Sequence, residues 1–154
     1  LHTRDAISTP FRLLDMGVPA FMVATSLQAV IAQRLVRCNC EQCAEPQSLS
    51  AQQQTWLDAA LGERAAQVMP KRGRGCSSCN NTGYHGRAGA YEMLEMDSVL
   101  THAATHADPN AFLAAARERM KGRTMMDHAL ELVRLGKTSV SEAMRIASDI
   151  DVTG

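Results

Sequence analysis

The sequence predicts a mostly helical α/β domain interrupted by a small cysteine-bearing module, and three observations carry that reading. Aromatic residues make up only 4% of the 154-residue chain, while alanine, leucine and methionine are plentiful, a composition suited to packed helices rather than to a β-sandwich. Capping and stop signals recur at helix-length spacing on both sides of the module. Between them, residues 38–83 shift to Cys, Gln, Gly, Asn and Ser and hold two Cys-x-x-Cys pairs. A hydrophobic share of 45% is enough for one core, or a core and an appended module, and argues against disorder.

The elements follow in order. Ser8-Thr9-Pro10 offers a cap and a first-turn proline, Leu13, Leu14 and Met16 supply apolar positions, and Gly17 with Pro19 ends a short helix. A second helix is expected from Phe21 to Arg37, because Val23, Leu27, Ile31 and Leu35 repeat every fourth residue as a buried stripe flanked by Gln28 and Arg34. Inside the module, Trp56, Leu57 and Leu61 mark one helical patch. Ala88 to Leu94, short and next to glycine, reads as a strand returning to a main sheet. A turn is expected near Asp97 to Ala104, then a helix from Pro109, capped by Asp108, to about Lys121. Thr124-x-x-Asp127 opens the next helix and Gly136 closes it; Ser139-x-x-Glu142 is a capping box for the last. There is no internal repeat and no low-complexity run.

Sixteen basic residues balance sixteen acidic ones, so no global field draws the chain to nucleic acid or an anionic membrane. The longest apolar stretch, Phe21 to Val36, is broken by Gln28, Gln33 and Arg34 and falls short of the roughly 20 residues of a membrane span. Leu1-His2-Thr3 is neither an initiating methionine nor a charged leader, so the chain reads as a fragment. Five cysteines without a secretory signal indicate a reducing cytosol, where paired thiols hold metals more often than disulfides.

The strongest chemical signal is Cys40-x-x-Cys43 followed, after 32 intervening residues, by Cys76-x-x-Cys79. A two-residue gap lets two thiolates from one tight turn reach the same ion, and two such turns complete a tetrahedral Cys₄ shell around zinc. Closure of that shell means structure rather than catalysis. Gly73, Gly75, Asn80, Asn81 and Gly83 suit knuckles whose backbone amides point at the sulfurs. Buried free thiols and a redox Cys-x-x-Cys are the competing readings, and the paired spacing outweighs both. Cys38 has the wrong gap to Cys40 for a knuckle and is left as a free thiol.

Other candidates are weaker. Gly136-Lys137-Thr138 lacks the glycine a phosphate-binding loop needs five residues earlier, where Glu131 stands, so the chain has no nucleotide cradle of its own. His102 and His106 lie one helical turn apart without a catalytic glutamate and read as a solvated face. Lys71, Arg72 and Arg74 form a basic loop whose plain role is solubility and whose sharper role is contact with phosphate or acidic lipid.

Several motifs together resemble one family. Leu1-His2-Thr3-Arg4-Asp5-Ala6, Arg12-Leu13-Leu14-Asp15-Met16-Gly17 and Ala32-Gln33-Arg34-Leu35-Val36-Arg37 resemble, in order and spacing, the second half of the motor domain of type II secretion and type IV pilus-extension ATPases. Cys76-x-x-Cys79-Asn80-x-Thr82-Gly83-Tyr84-x-Gly86-Arg87-x-Gly89 resembles that family's zinc-bearing segment, and Tyr91-Glu92-Met93-Leu94 the strand that follows it. The likeness runs from Leu1 to about Ala147, and the Phe21-to-Arg37 pattern is most similar to the extension ATPase of mannose-sensitive haemagglutinin pili, with the type II secretion ATPase close behind. Arg4 and Cys38 depart from the family's usual residues without touching the four ligands.

The resemblance implies the C-terminal part of a RecA-like P-loop NTPase motor. Residues 1–37 would belong to the ATPase core, 38–87 to the zinc module, and 88–154 to a return strand and helical subdomain. It implies that His2 belongs to a histidine box near the terminal phosphate and that Arg87 lies near the nucleotide, with a structural salt bridge as the competing role for Arg87. In the parent it implies ATP, Mg, a hexameric ring of copies of the chain, and an inner-membrane platform protein as partner, at the cytoplasmic face of the membrane. Two other classes remain: a free-standing zinc-ribbon module binding protein or nucleic acid, for which Trp56, Tyr84 and Tyr91 are too scattered, and a thiol-redox protein, for which no βαβ pattern precedes Cys40.

Overall fold

The protein is described from a computed structural model, which covers residues 3–106 and 108–151. Its elements divide into two compact units. Among the described residues, those up to 33 and from 91 to 125 form the first, and those from 34 to 90 and from 126 on form the second.

The first unit contains α1 (Thr9–Asp15), α2 (Ala20–Ser26), α4 (Ser98–Thr105) and α5 (Pro109–Met120). Pro10 sits in the first turn of α1, and Gly17, at φ +86°, ends it as expected. Asp108 caps α5, its carboxylate accepting from the Ala111 N–H at 3.0 Å. The expected turn after Asp97 closes into the full helix α4, because the Asp97 carboxylate accepts from both Val99 and Leu100 N–H. Val30, Leu94, Leu100, Phe112, Ala116 and Met120 make the core, with Phe11 packed edge-on against Phe112 at 5.3 Å. The buried Glu92 carboxyl accepts from the backbone N–H of Ala6 at 2.6 Å and of Met125 at 2.9 Å, so both its oxygens are satisfied by backbone amides.

The helix expected from Phe21 to Arg37 is not formed. It stops at Ser26, and the rest becomes β1 (Ala29–Asn39), which pairs with β4 (Tyr84–Glu95) in a two-stranded sheet. A spacing of four is also twice the strand period of two, so Leu27, Ile31 and Leu35 can share a strand face as well as a helix face. Burial decides the matter. Val30 and Val36 are buried on one side, while Ile31 and Leu35 are 66% and 49% exposed on the other. The β-branched residues Val30, Ile31 and Val36 favour this outcome. The strand foreseen at Ala88 to Leu94 lies within β4, which begins four residues earlier.

The second unit holds β2 (Ala44–Pro46), α3 (Ala51–Leu61), a 3-10 turn over Gly62–Gln67, β3 (Lys71–Gly73), all but the first residue of α6 (Met125–Arg134), and α7 (Val140–Asp151). β2 and β3 run antiparallel with Glu45 opposite Arg72. A capping box of Ser50 and Gln53 starts α3, which packs Leu57 and Trp56 with Ala65 and Leu130. Gly136, at φ +70°, closes α6: its N–H donates to the Val133 carbonyl and that of Lys137 to the Leu132 carbonyl, the helix C-cap foreseen for this glycine.

The capping box read at Ser139 and Glu142 is half realised. Ser139 Oγ accepts from the Glu142 N–H at 3.4 Å, but the Glu142 carboxylate accepts from the Arg37 N–H at 2.8 Å and from the Arg37 and Arg145 guanidiniums. Arg37 also lies over the Tyr84 ring at 4.2 Å, and the Tyr84 hydroxyl meets Ser139 Oγ at 2.7 Å. Burial opposes ionisation of Glu142, yet the Arg37 side-chain and backbone hydrogen bonds and the Arg145 charge outweigh it and hold its carboxyl below the usual range. A depressed pKa contributes stability above the ordinary glutamate pKa of about 4.3 and loses it as pH falls through the folded value. Glu142→Gln is therefore expected to cost about 2–3 kcal/mol at pH 7, less than a wholly buried pair because both arginines keep access to water. In urea unfolding, the gap between wild type and variant should close as pH approaches 3; a gap independent of pH would remove the charge from the explanation.

Candidate metal centre

β1 ends at Asn39 and delivers Cys40 directly into the first knuckle, where the Cys43 N–H donates to the Cys40 carbonyl at 3.1 Å. The second knuckle follows β3. The Cys79 N–H donates to the Cys76 carbonyl at 3.2 Å, and Asn80 and Asn81 take left-handed conformations at φ 50° and 59°, which asparagine tolerates better than most residues. The two knuckles meet through backbone. The Cys40 N–H donates to the Gly83 carbonyl at 2.9 Å and the Arg74 N–H to the Cys43 carbonyl at 3.1 Å. Gly73 and Gly83 cross so closely that a Cβ on either would overlap the other's carbonyl oxygen. Asn39, not singled out from the sequence, ties the site to its surroundings by donating through Nδ2 to the Lys71 and Gly136 carbonyls, both at 3.0 Å.

All four sulfurs lie within 4.8 Å of one another. Cys40 and Cys76 are 3.8 Å apart, Cys43 and Cys79 3.9 Å, and Cys76 and Cys79 3.8 Å. These separations exceed the disulfide bond length of about 2.05 Å. They match the edge of a tetrahedron with zinc–sulfur bonds of about 2.3 Å, which is about 3.8 Å. Cys40, Cys43 and Cys79 are buried, so the shell is closed to substrate. The Cys76 and Gly83 amides donate to Cys79 Sγ at 3.2 and 3.3 Å. Burial works against the Cys79 thiolate, but those two amides and the neighbouring thiols of Cys76 and Cys43 prevail and draw its pKa down to about 6. Burial pushes Cys43 up to about 11, and burial also raises Cys40. Four soft donors, one already favouring its thiolate, fit a zinc ion.

The other candidates are not drawn into this cluster. Cys38 is half-buried on β1 and outside it. Arg87 is exposed on β4 and forms no ion pair among the described residues. The His102 and His106 rings lie 4.1 Å apart, tilted by 38°, with the His106 Nδ1 2.9 Å from the His102 carbonyl oxygen. His2 lies outside the described residues. The Arg37–Tyr84–Glu142 network escaped the sequence reading, since its members are up to 105 residues apart; the Ser139-x-x-Glu142 motif was the only local sign of it.

A family model described as Type II/IV secretion system protein matches residues 1–145. The chain belongs to this family. It is 35% identical over 149 residues to the type II secretion system ATPase E of Vibrio cholerae serotype O1, a match covering 97% of this chain and 29% of that protein. Type II secretion system protein E of Aeromonas hydrophila is 34% identical over 157 residues, and that of Pseudomonas aeruginosa 33% over 149, with the same coverage of both chains. This member of the type II/IV secretion family thus spans about 29% of the length of these relatives, and all four cysteines lie inside the matched region. No helix among its described residues is long and apolar enough to cross a membrane.

Proposed function

We propose that the chain is the metal-bearing C-terminal part of a secretion or pilus-assembly ATPase, built on a RecA-like P-loop core and acting as a hexameric ring at the cytoplasmic face of the inner membrane. The observation that carries this reading is the family match over residues 1–145, with the Vibrio cholerae relative named type II secretion system ATPase E. ATP and Mg would be used by the full-length protein, and a platform protein of the inner membrane would receive the movement. The chain itself holds no phosphate-binding loop.

Within that reading, residues 38–87 are a zinc module held by Cys40, Cys43, Cys76 and Cys79. Zinc would supply a rigid cross-link between the two knuckles, while the Cys76 and Gly83 amides hold Cys79 ready as a thiolate. His2 would sense the terminal phosphate and Arg87 would approach the nucleotide, where a guanidinium suits phosphate or stacks on a base.

Turnover measurements test the assignment. The isolated chain should hydrolyse no ATP above background, because it lacks the phosphate loop whose backbone amides and lysine position the β and γ phosphates. In the full-length protein, His2→Ala should lower kcat about 10- to 100-fold with little change in KM, since a residue sensing the terminal phosphate acts on the transition state. Unchanged kcat would remove His2 from catalysis, and turnover by the repurified chain alone would overturn the assignment.

A further inference from the structure

Burial alternates along β4 with the period of a strand: Glu92 and Leu94 face the interior, while Tyr91, Met93 and Glu95 are exposed. Leucine suits an inward row. A carboxyl in the same row does not, because moving it out of water costs free energy that an apolar side chain there would not. Its two oxygens are each taken by a backbone amide, Oε1 by Ala6, 86 residues away in the chain, and Oε2 by Met125, 33 residues away. Such departures from the expected pattern concentrate where a protein must hold a functional segment in place.

The segment on the Ala6 side has no regular structure of its own. Residues 3–8, ahead of α1, form neither helix nor strand, so side chains must set their path. Three do so. Glu92 holds the Ala6 N–H at 2.6 Å, and Ala6 is fully buried. The Asp5 side chain accepts from the Ser8 N–H at 2.7 Å. The buried Thr9 hydroxyl donates its one hydrogen to the Asp5 carbonyl at 3.1 Å, so toward the Thr3 hydroxyl, 2.9 Å away, it is the acceptor. Asp5 and Thr9 are neighbours in the chain. Of the three, Glu92 alone comes from a distant element, and so it fixes where the segment lies against β4.

We infer that Glu92 is a positioning residue for ATP turnover, fixing through the Ala6 N–H the segment that carries His2. This rests on the reading of His2 as the sensor of the terminal phosphate. Thr3 to Ala6 follow His2 directly in the chain, so a shift of the backbone at Ala6 is passed on toward it. Misplacing a group in a reacting complex by about 1 Å can cost about 100-fold in rate. A residue that holds such a group without meeting the nucleotide acts on kcat through it and leaves KM alone.

The test is steady-state ATP turnover by the full-length protein, arranged as a double-mutant cycle with His2→Ala. Glutamine offers one acceptor oxygen where the carboxyl offers two, so in Glu92→Gln one of the two amides loses its partner. That variant should lower kcat about tenfold and leave KM within about twofold. Thr9→Val, which loosens the same segment from its other side and leaves Met125 alone, should lower kcat a few-fold. In His2→Ala protein either substitution should change turnover by less than about twofold, because the residue being positioned is gone. Glu95→Gln, exposed on the same strand, should leave turnover unchanged. If Glu92→Gln does not fold, the cycle with Thr9→Val decides. The inference is overturned, with the reading of His2 left standing, if His2→Ala lowers kcat but Glu92→Gln does not. It is also overturned by losses that multiply in the double variant, which mark an independent structural role, or by an effect on KM alone. Unchanged kcat in His2→Ala removes the sensing role and this inference together.

Discussion

Cys43→Ser is expected to abolish stoichiometric zinc binding and to lower the thermal stability of the segment around the knuckles by a large margin. Wild-type protein purified without chelator should carry about one zinc per chain, because four thiolates at tetrahedral separation form a closed soft-ligand shell. A serine hydroxyl is a poor replacement for a buried thiolate, and structural zinc in small sites is worth about 10–16 kcal/mol of apparent binding free energy, which is also folding free energy. Trp56 reports on the change, as it packs with Leu57, Ala65 and Leu130 in the same compact unit as the metal site. Its emission should shift to the red and its thermal transition should move down and broaden. Cys38→Ser is the matched control and should keep both zinc and transition, since Cys38 lies outside the sulfur cluster. Cys43→Ser protein retaining a full zinc with an unchanged transition would refute the four-cysteine site.

Gly83→Ala should be nearly as damaging, though it removes no ligand. The added methyl would overlap the Gly73 carbonyl oxygen, and backbone cannot step aside as a flexible side chain would. Gly83 also sits at φ +77°, donates its N–H to Cys79 Sγ and accepts from the Cys40 N–H, so relieving the overlap disturbs two ligands at once. The expected cost is about 3–5 kcal/mol, at the upper end for a single substitution. Gly86→Ala separates the two causes. Gly86 has nearly the same φ, +75°, but nothing near its Cβ position, so it should cost only about 1 kcal/mol. Urea unfolding and zinc content of the two variants, measured side by side, check this. Equal effects would show that the crossing of Gly73 and Gly83 contributes nothing beyond backbone conformation.

The cysteine cluster and most helix ends were legible because their signals are local. A Cys-x-x-Cys pair forms one turn, Asp108 reaches an amide three residues on, and Gly136 needs only its own φ. Recognition of the family rested on motifs that are likewise contiguous, and the match over residues 1–145 agrees with it. The failure of the second helix was of another kind. Val23, Leu27, Ile31 and Leu35 satisfy helix and strand geometry alike, and only the pairing of β1 with β4, some 50 residues further along the chain, selects the strand.

By itself, then, the sequence picked out the four cysteines that cluster, the absence of a phosphate-loop motif and the positions of caps and breaks, each set by residues within a turn or two of one another. Tertiary structure alone decided which face of β1 is buried, that Glu142 gives its carboxylate to Arg37 instead of completing a cap, and that Gly73 and Gly83 must both lack a side chain. Those choices depend on partners 10 to 105 residues away. Local pattern supplies the candidates, and the free energy of burying or pairing a group across the fold selects among them.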